Sequence, residues 1–100
     1  MKDWYNRVHL ADSIEALNAL SPKTVQADLV FADPPYNIGY SYDVYQDNLD
    51  DEAYVQWTGQ WMRAASRVLK PSGAFWVAIG DEYVAETKIA GEKAGLHLRN

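Results

Sequence analysis

The chain reads as an α/β domain built on an open, mostly parallel sheet with helices on both faces. Two short apolar runs, Asp28-Leu29-Val30-Phe31-Ala32 and Ala74-Phe75-Trp76-Val77-Ala78-Ile79, suit buried strands. Between them, Tyr54, Trp57, Trp61, Ala65 and Val68 recur at three- and four-residue spacing, the signature of an amphipathic helix. Strand, helix, strand, helix, strand, helix, strand is the resulting order. It implies parallel pairing through crossover helices.

Arg7-Val8-His9-Leu10 alternates apolar and polar side chains, a candidate first strand. Asp12 or Ser13 then offers an N-cap for a helix to about Leu20, with Glu15 in its first turn and Ser21-Pro22-Lys23 as its stop. The second strand ends at Asp33-Pro34-Pro35, because proline cannot donate to a ladder and restricts the residue before it. From Pro34 to about Asp50 no periodicity holds, so a long exposed loop is expected; loops of that length are usually functional or disordered. Asp50 or Asp51 caps the long helix, and Lys70-Pro71-Ser72-Gly73 is expected to stop it and turn. A further helix runs from about Glu82 to Ala94 with Gly95 past its end, before Leu96-His97-Leu98 resumes an extended path.

One hundred residues, 48% of them hydrophobic and 23% charged, make one domain or part of one. A chain this long buries roughly two-thirds of its unfolded surface, enough for a modest core without staples. With no cysteine, disulfides, thiolate metal sites and cysteine nucleophiles are excluded. His9 and His97 lack a paired ligand, so no metal is expected. No apolar run approaches the roughly 18 residues that span a bilayer. The first residues carry no hydrophobic signal region, and a cytoplasmic protein is the default.

Net charge is −5, and no basic residue lies between Lys23 and Arg63, where Asp28, Asp33, Asp43, Asp47, Asp50, Asp51 and Glu52 fall. Taken alone, this balance argues against gripping a phosphate backbone. Four of the seven tyrosines, Tyr36, Tyr40, Tyr42 and Tyr45, cluster within ten residues of the same stretch.

Ligands of open α/β sheets bind beyond the carboxyl ends of the strands, where Asp33-Pro34-Pro35-Tyr36 sits. Asp33 and Pro34 each precede a proline and are held extended. Two successive N–H groups are lost while the carbonyls stay free. A carboxylate and a carbonyl thus stand beside an aromatic plate. Such acceptors suit the exocyclic amine of a nucleobase, whose lone pair attacks only once it leaves conjugation with the ring. The plate stacks on the base, worth about 1–3 kcal/mol. A sulfonium methyl donor would gain from the same negative charge and aromatic faces. The plainer alternative is a strand-ending turn with a packed tyrosine.

At these residues the chain resembles the S-adenosylmethionine-dependent DNA amino-methyltransferases, which methylate adenine N6 or cytosine N4. The resemblance rests on Ala11 to Leu17, on DLVFADPPYNIG from Asp28 to Gly39, on Arg67 to Gly73 and on Phe75 to Glu82. It implies a Rossmann-like methyltransferase sheet. Asp33 and Pro34 would hold the target amine, and Tyr36 would stack on the base once it is flipped from the duplex. Pro35, Asn37 and Tyr40 would join them on the substrate side, and Asn37 favours adenine. Asp12 and Asp33 would lie on the cofactor side, although for Asp12 a helix cap is an equal reading and Ala11 replaces the family's usual glycine. The cofactor implied is S-adenosyl-L-methionine; the partner is double-stranded DNA, with a homodimer allowed and no membrane.

The chain departs from the family in lacking the Phe-x-Gly-x-Gly cofactor loop: its glycines are 39, 59, 73, 80, 91 and 95. The permuted order, with the catalytic motif ahead of that loop, fits best. Residues 1–100 are then expected to be the N-terminal portion of one catalytic domain, with the cofactor loop and target-recognition region beyond residue 100. An RNA or protein amine methyltransferase, or an inactive fragment, are the competing expectations.

Overall fold

The computed structural model describes residues 4–23, 25–37, 39 and 49–100. Its elements are α1 (Ser13–Asn18), β1 (Ala27–Ala32), α2 (Asp51–Arg67), β2 (Leu69–Val77), a 3-10 turn (Asp81–Tyr83) and α3 (Val84–Lys93). The two strands pair in parallel, with α2 between them in sequence. The expected α/β architecture is present, as a two-stranded piece of a sheet.

Local chemistry sets the element ends. Asp12 caps α1, its carboxylate accepting from the Glu15 N–H at 3.0 Å. Asp50 caps α2 in the same way through the Ala53 N–H at 2.8 Å. Both caps satisfy one of the free donors at a helix start. At the end of α3, Gly95 takes φ +93° and donates to Glu92 O, while the Leu96 N–H reaches Gly91 O at 2.9 Å. This pair of bonds closes the helix end through a left-handed glycine.

Residues 70–73, expected as a turn, instead loop out within β2. Ala27 is opposite Leu69 and Leu29 is opposite Ala74, so the strand bulges between them. The Lys70 ammonium pairs with the exposed Asp28 carboxylate at 2.7 Å across this bulge, which holds the lysine above its ordinary value of 10.5. Gly73 sits where an added Cβ would lie 3.0 Å from the Asp28 carbonyl oxygen, so only glycine lets the strands approach.

The core lies on one face of the sheet. Trp61 and Met62 of α2 and Ala90 of α3 form its centre, and Ile14, Ala32, Trp57, Phe75, Val77 and Leu96 pack around them. The helical stripe expected from the spacing is the buried face of α2. The opposite face of the sheet is open: Leu29, Phe31 and Trp76 are 59%, 68% and 59% exposed. Burial of the strands on both faces is therefore not found among the described residues, because α1, α2 and α3 all share one layer. Arg7 to Leu10 is not a strand either; Val8 and Leu10 are fully exposed, and no neighbouring strand among the described residues supplies a ladder. Among the described residues, no helix is long and apolar enough to cross a membrane.

Candidate active site

The parallel pairing brings the carboxyl ends of β1 and β2 side by side. The Ala78 N–H donates to the Ala32 carbonyl at 2.9 Å, just before the two chains leave the sheet. Residues 33–37 leave β1 there, and residues 78–80 leave β2. Tyr36 lies over Gly80, its ring carbons 3.7–3.9 Å from where a Cβ would stand. The ring packs against this glycine, at a distance that would leave a Cβ in ordinary contact.

Asp33 is exposed, while Pro34, Pro35, Tyr36 and Asn37 are half-buried. The Tyr36 hydroxyl donates to Asp33 Oδ1 at 3.1 Å, so the expected acceptor and the expected stacking plate are in contact. Behind them, the Tyr54 hydroxyl of α2 donates to the Pro35 carbonyl. The acceptor-rich corner read from the two prolines is thus partly engaged: Pro35 O is held by the protein.

Asn37 adopts φ +59°, the left-handed region in which asparagine is enriched. Its amide donates to Leu49 O at 2.7 Å and to the Tyr83 hydroxyl at 3.1 Å, and its oxygen accepts from the Leu49 N–H at 2.8 Å. Tyr83 in turn donates to Asp51 Oδ1 at 2.6 Å. That bond, opposed by the one from Asn37, holds the Tyr83 phenol above its ordinary value of 10.0.

Of the residues expected on the substrate side, Asp33, Pro34, Pro35, Tyr36 and Asn37 are gathered at one strand end; Tyr40, with Tyr42 and Tyr45, lies outside the described residues. Asp12 spends its carboxylate on the cap of α1. Sequence reading missed Tyr54 and Tyr83. The helical stripe marked Tyr54 only as an apolar position, and nothing in the spacing pairs Tyr83 with Asn37 across 46 residues.

A donor such as S-adenosylmethionine needs a cradle as well as charge. The exposed Asp33 carboxylate and the Tyr36 ring match a sulfonium in charge and shape of contact, but they do not enclose one. Two open hollows lie elsewhere, along the α1/α2 groove at Ile14, Asn18, Arg63 and Arg67 and beside Lys93. Among the described residues, then, Asp33 and Tyr36 offer charge and an aromatic face to such a donor but no enclosing cradle.

A model of the DNA methylase family (N6/N4 type) matches residues 27–100. The chain is 32% identical over 95 residues to the type II methyltransferase M.HpaI of Haemophilus parainfluenzae, an alignment covering 94% of this chain and 30% of that protein. It is 41% identical over 46 residues to the type II methyltransferase M.MjaVI of Methanocaldococcus jannaschii, covering 46% of this chain and 24% of that protein. The chain thus spans less than a third of the length of either relative. With the motif corner in place at the end of β1 and the family match running from that strand onward, the chain belongs to the N6/N4 DNA methylase family.

Proposed function

We propose that this chain supplies the amine-holding part of a DNA methyltransferase acting on adenine N6 with S-adenosyl-L-methionine as donor. Cytosine N4 is the alternative target. The observation that carries the reading is the corner at the end of β1, where an exposed carboxylate, two successive prolines and a tyrosine stand together beside the end of β2. Asp33 and the Pro34 carbonyl accept the hydrogens of the target amine. This favours the geometry in which its lone pair points away from the ring. Tyr36 stacks on the flipped base, which costs a few kcal/mol to unstack from the duplex and regains part of that on the aromatic face. The donor, when bound, supplies an electrophilic methyl group.

Residues 1–100 form, on this reading, the first portion of one catalytic domain, with the donor loop and target-recognition region beyond residue 100. Double-stranded DNA is the partner, the cytoplasm the site of action, and a restriction–modification pair the setting. The bare sheet face and the missing donor cradle support that division of labour.

The test is methyl transfer from labelled S-adenosylmethionine to duplex DNA by the whole protein carrying this sequence, followed by nucleoside analysis. N6-methyladenine is expected. N4-methylcytosine would transfer the assignment to the alternative, and unmodified DNA would overturn the function. Calorimetric titration of the 100-residue chain with the donor should give weak or undetectable heat; tight binding would refute the placement of the donor loop elsewhere.

A further inference from the structure

The amine-handling corner is held from behind by two tyrosines that lie far from it in sequence. Tyr54, near the start of α2, is 1% exposed and donates to the Pro35 carbonyl. Tyr83, at the end of the 3-10 turn, is 5% exposed and touches Tyr54 with ring centroids 4.5 Å apart. Each ring is fixed by packing, and each hydroxyl is aimed at residues 35–37.

The bonds around Tyr83 have only one consistent direction. A carboxylate only accepts, so the Tyr83 hydroxyl donates to Asp51. Its oxygen must then accept from Asn37, which turns the amide nitrogen toward Tyr83 and the Leu49 carbonyl. The amide oxygen is left facing the Leu49 N–H. Both amide hydrogens of Asn37 are committed, and the side chain ties Asn37 to Leu49 on both sides of its amide. Asn37 meets the two demands of this place, a left-handed backbone and a side chain that mimics a paired peptide.

We infer that Tyr54 and Tyr83, with Asp51 behind Tyr83, are positioning residues that set the shape of residues 34–37, and that Asn37 clamps itself to Leu49 instead of reading the base. What the corner handles rests on the function proposed above; how it is held does not. Positioning acts on the reacting geometry, so its loss lowers kcat while leaving ground-state DNA binding in place.

The experiment uses the whole protein and the variants Tyr83→Phe, Tyr54→Phe and Asn37→Asp, which keep ring or shape. For Tyr83→Phe, kcat should fall roughly ten- to hundredfold, with KM for DNA within about twofold. Exchange of the Leu49 amide hydrogen should quicken in the same variant. Asn37→Asp retains the acceptor and loses both donors, so it should lower kcat at least as much, and the double variant should be no worse than Asn37→Asp alone. A rise in KM or a changed base preference for Asn37→Asp alone would mean that Asn37 reads the base. Unchanged kcat in both tyrosine variants would also overturn the inference. Should the wild type leave DNA unmethylated, the functional reading fails, and Leu49 exchange still decides the positioning: equal rates in wild type and Tyr83→Phe would sink it.

Discussion

The Tyr36 hydroxyl donates to Asp33 Oδ1 at 3.1 Å, so the plate and the acceptor of the motif are bonded to each other before any base arrives. A carboxylate has about four acceptor positions on its two oxygens. On the proposed function, an incoming amine takes an unused position or displaces the phenol, and the hydroxyl acts as a place-holder. The ring, by contrast, supplies the stacking face and sits on Gly80.

This separates two variants. Tyr36→Phe keeps the face and removes the place-holder, and its turnover should remain near that of the wild type. Tyr36→Ala removes the face, about 1–3 kcal/mol of stacking, so base engagement should weaken roughly five- to 150-fold. Steady-state kinetics with DNA carrying a fluorescent base at the target measure both. A phenylalanine variant as poor as alanine would assign the tyrosine's role to its hydroxyl.

Asp33→Ala should abolish methyl transfer in the whole protein while leaving the fold intact. The side chain is exposed and bonds only across three residues, so the stability change should stay within about 0.5 kcal/mol. Thermal unfolding and transfer assays on the same preparation make the comparison. Wild-type turnover in this variant would remove Asp33 from the chemistry.

What was legible in the sequence was local. The caps at Asp12 and Asp50, the stripe of α2, Gly95 after α3 and the corner after β1 all follow from short-range chemistry. What was not legible depends on partners distant in sequence. Arg7 to Leu10 alternates like a strand, yet a strand exists only through its neighbour, and no ladder reaches it. The apolar runs read as buried on both faces, but burial of Leu29, Phe31 and Trp76 needs a second layer that the described residues do not provide. Residues 70–73 carry turn chemistry that the fold uses as a bulge, because β2 begins one residue after α2 ends. At the site, the family resemblance puts Asn37 on the substrate side. Its contacts with Leu49 and Tyr83 arise only when α2 and the 3-10 turn fold against it.

The Tyr83–Asp51 bond makes a pH prediction. Donation to Asp51 favours the neutral phenol in the folded chain and raises it above 10.0. The stability that Tyr83 contributes is then complete below pH 10.0 and is lost as pH rises through the raised value. The advantage of wild type over Tyr83→Phe in chemical unfolding should be flat through neutral pH and shrink only in alkali. An advantage that already fades near neutrality would point to a different titrating group.

Two glycines give opposite expectations for the same substitution. Gly59 lies inside α2, where an added Cβ would meet only Arg63 Nη1 at 3.1 Å, the far end of a flexible exposed side chain. Arg63 can swing aside, so Gly59→Ala should stabilise by up to about 1 kcal/mol through helix propensity. Gly73 lies in the β2 bulge, where a Cβ would stand 2.6 Å from Leu69 Cδ1 and 3.0 Å from the Asp28 carbonyl oxygen. The carbonyl belongs to the paired strand and cannot yield without moving the ladder. Gly73→Ala should therefore destabilise by about 1–3 kcal/mol. The bulge also sets the register that places Ala32 opposite Val77, and with it the juxtaposition of residues 33–37 and Gly80. Thermal unfolding of the two variants should shift the midpoint in opposite directions, and only Gly73→Ala should also lower methyl transfer. A stabilised Gly73→Ala would mean that the bulge is not held by the close approach of the two strands.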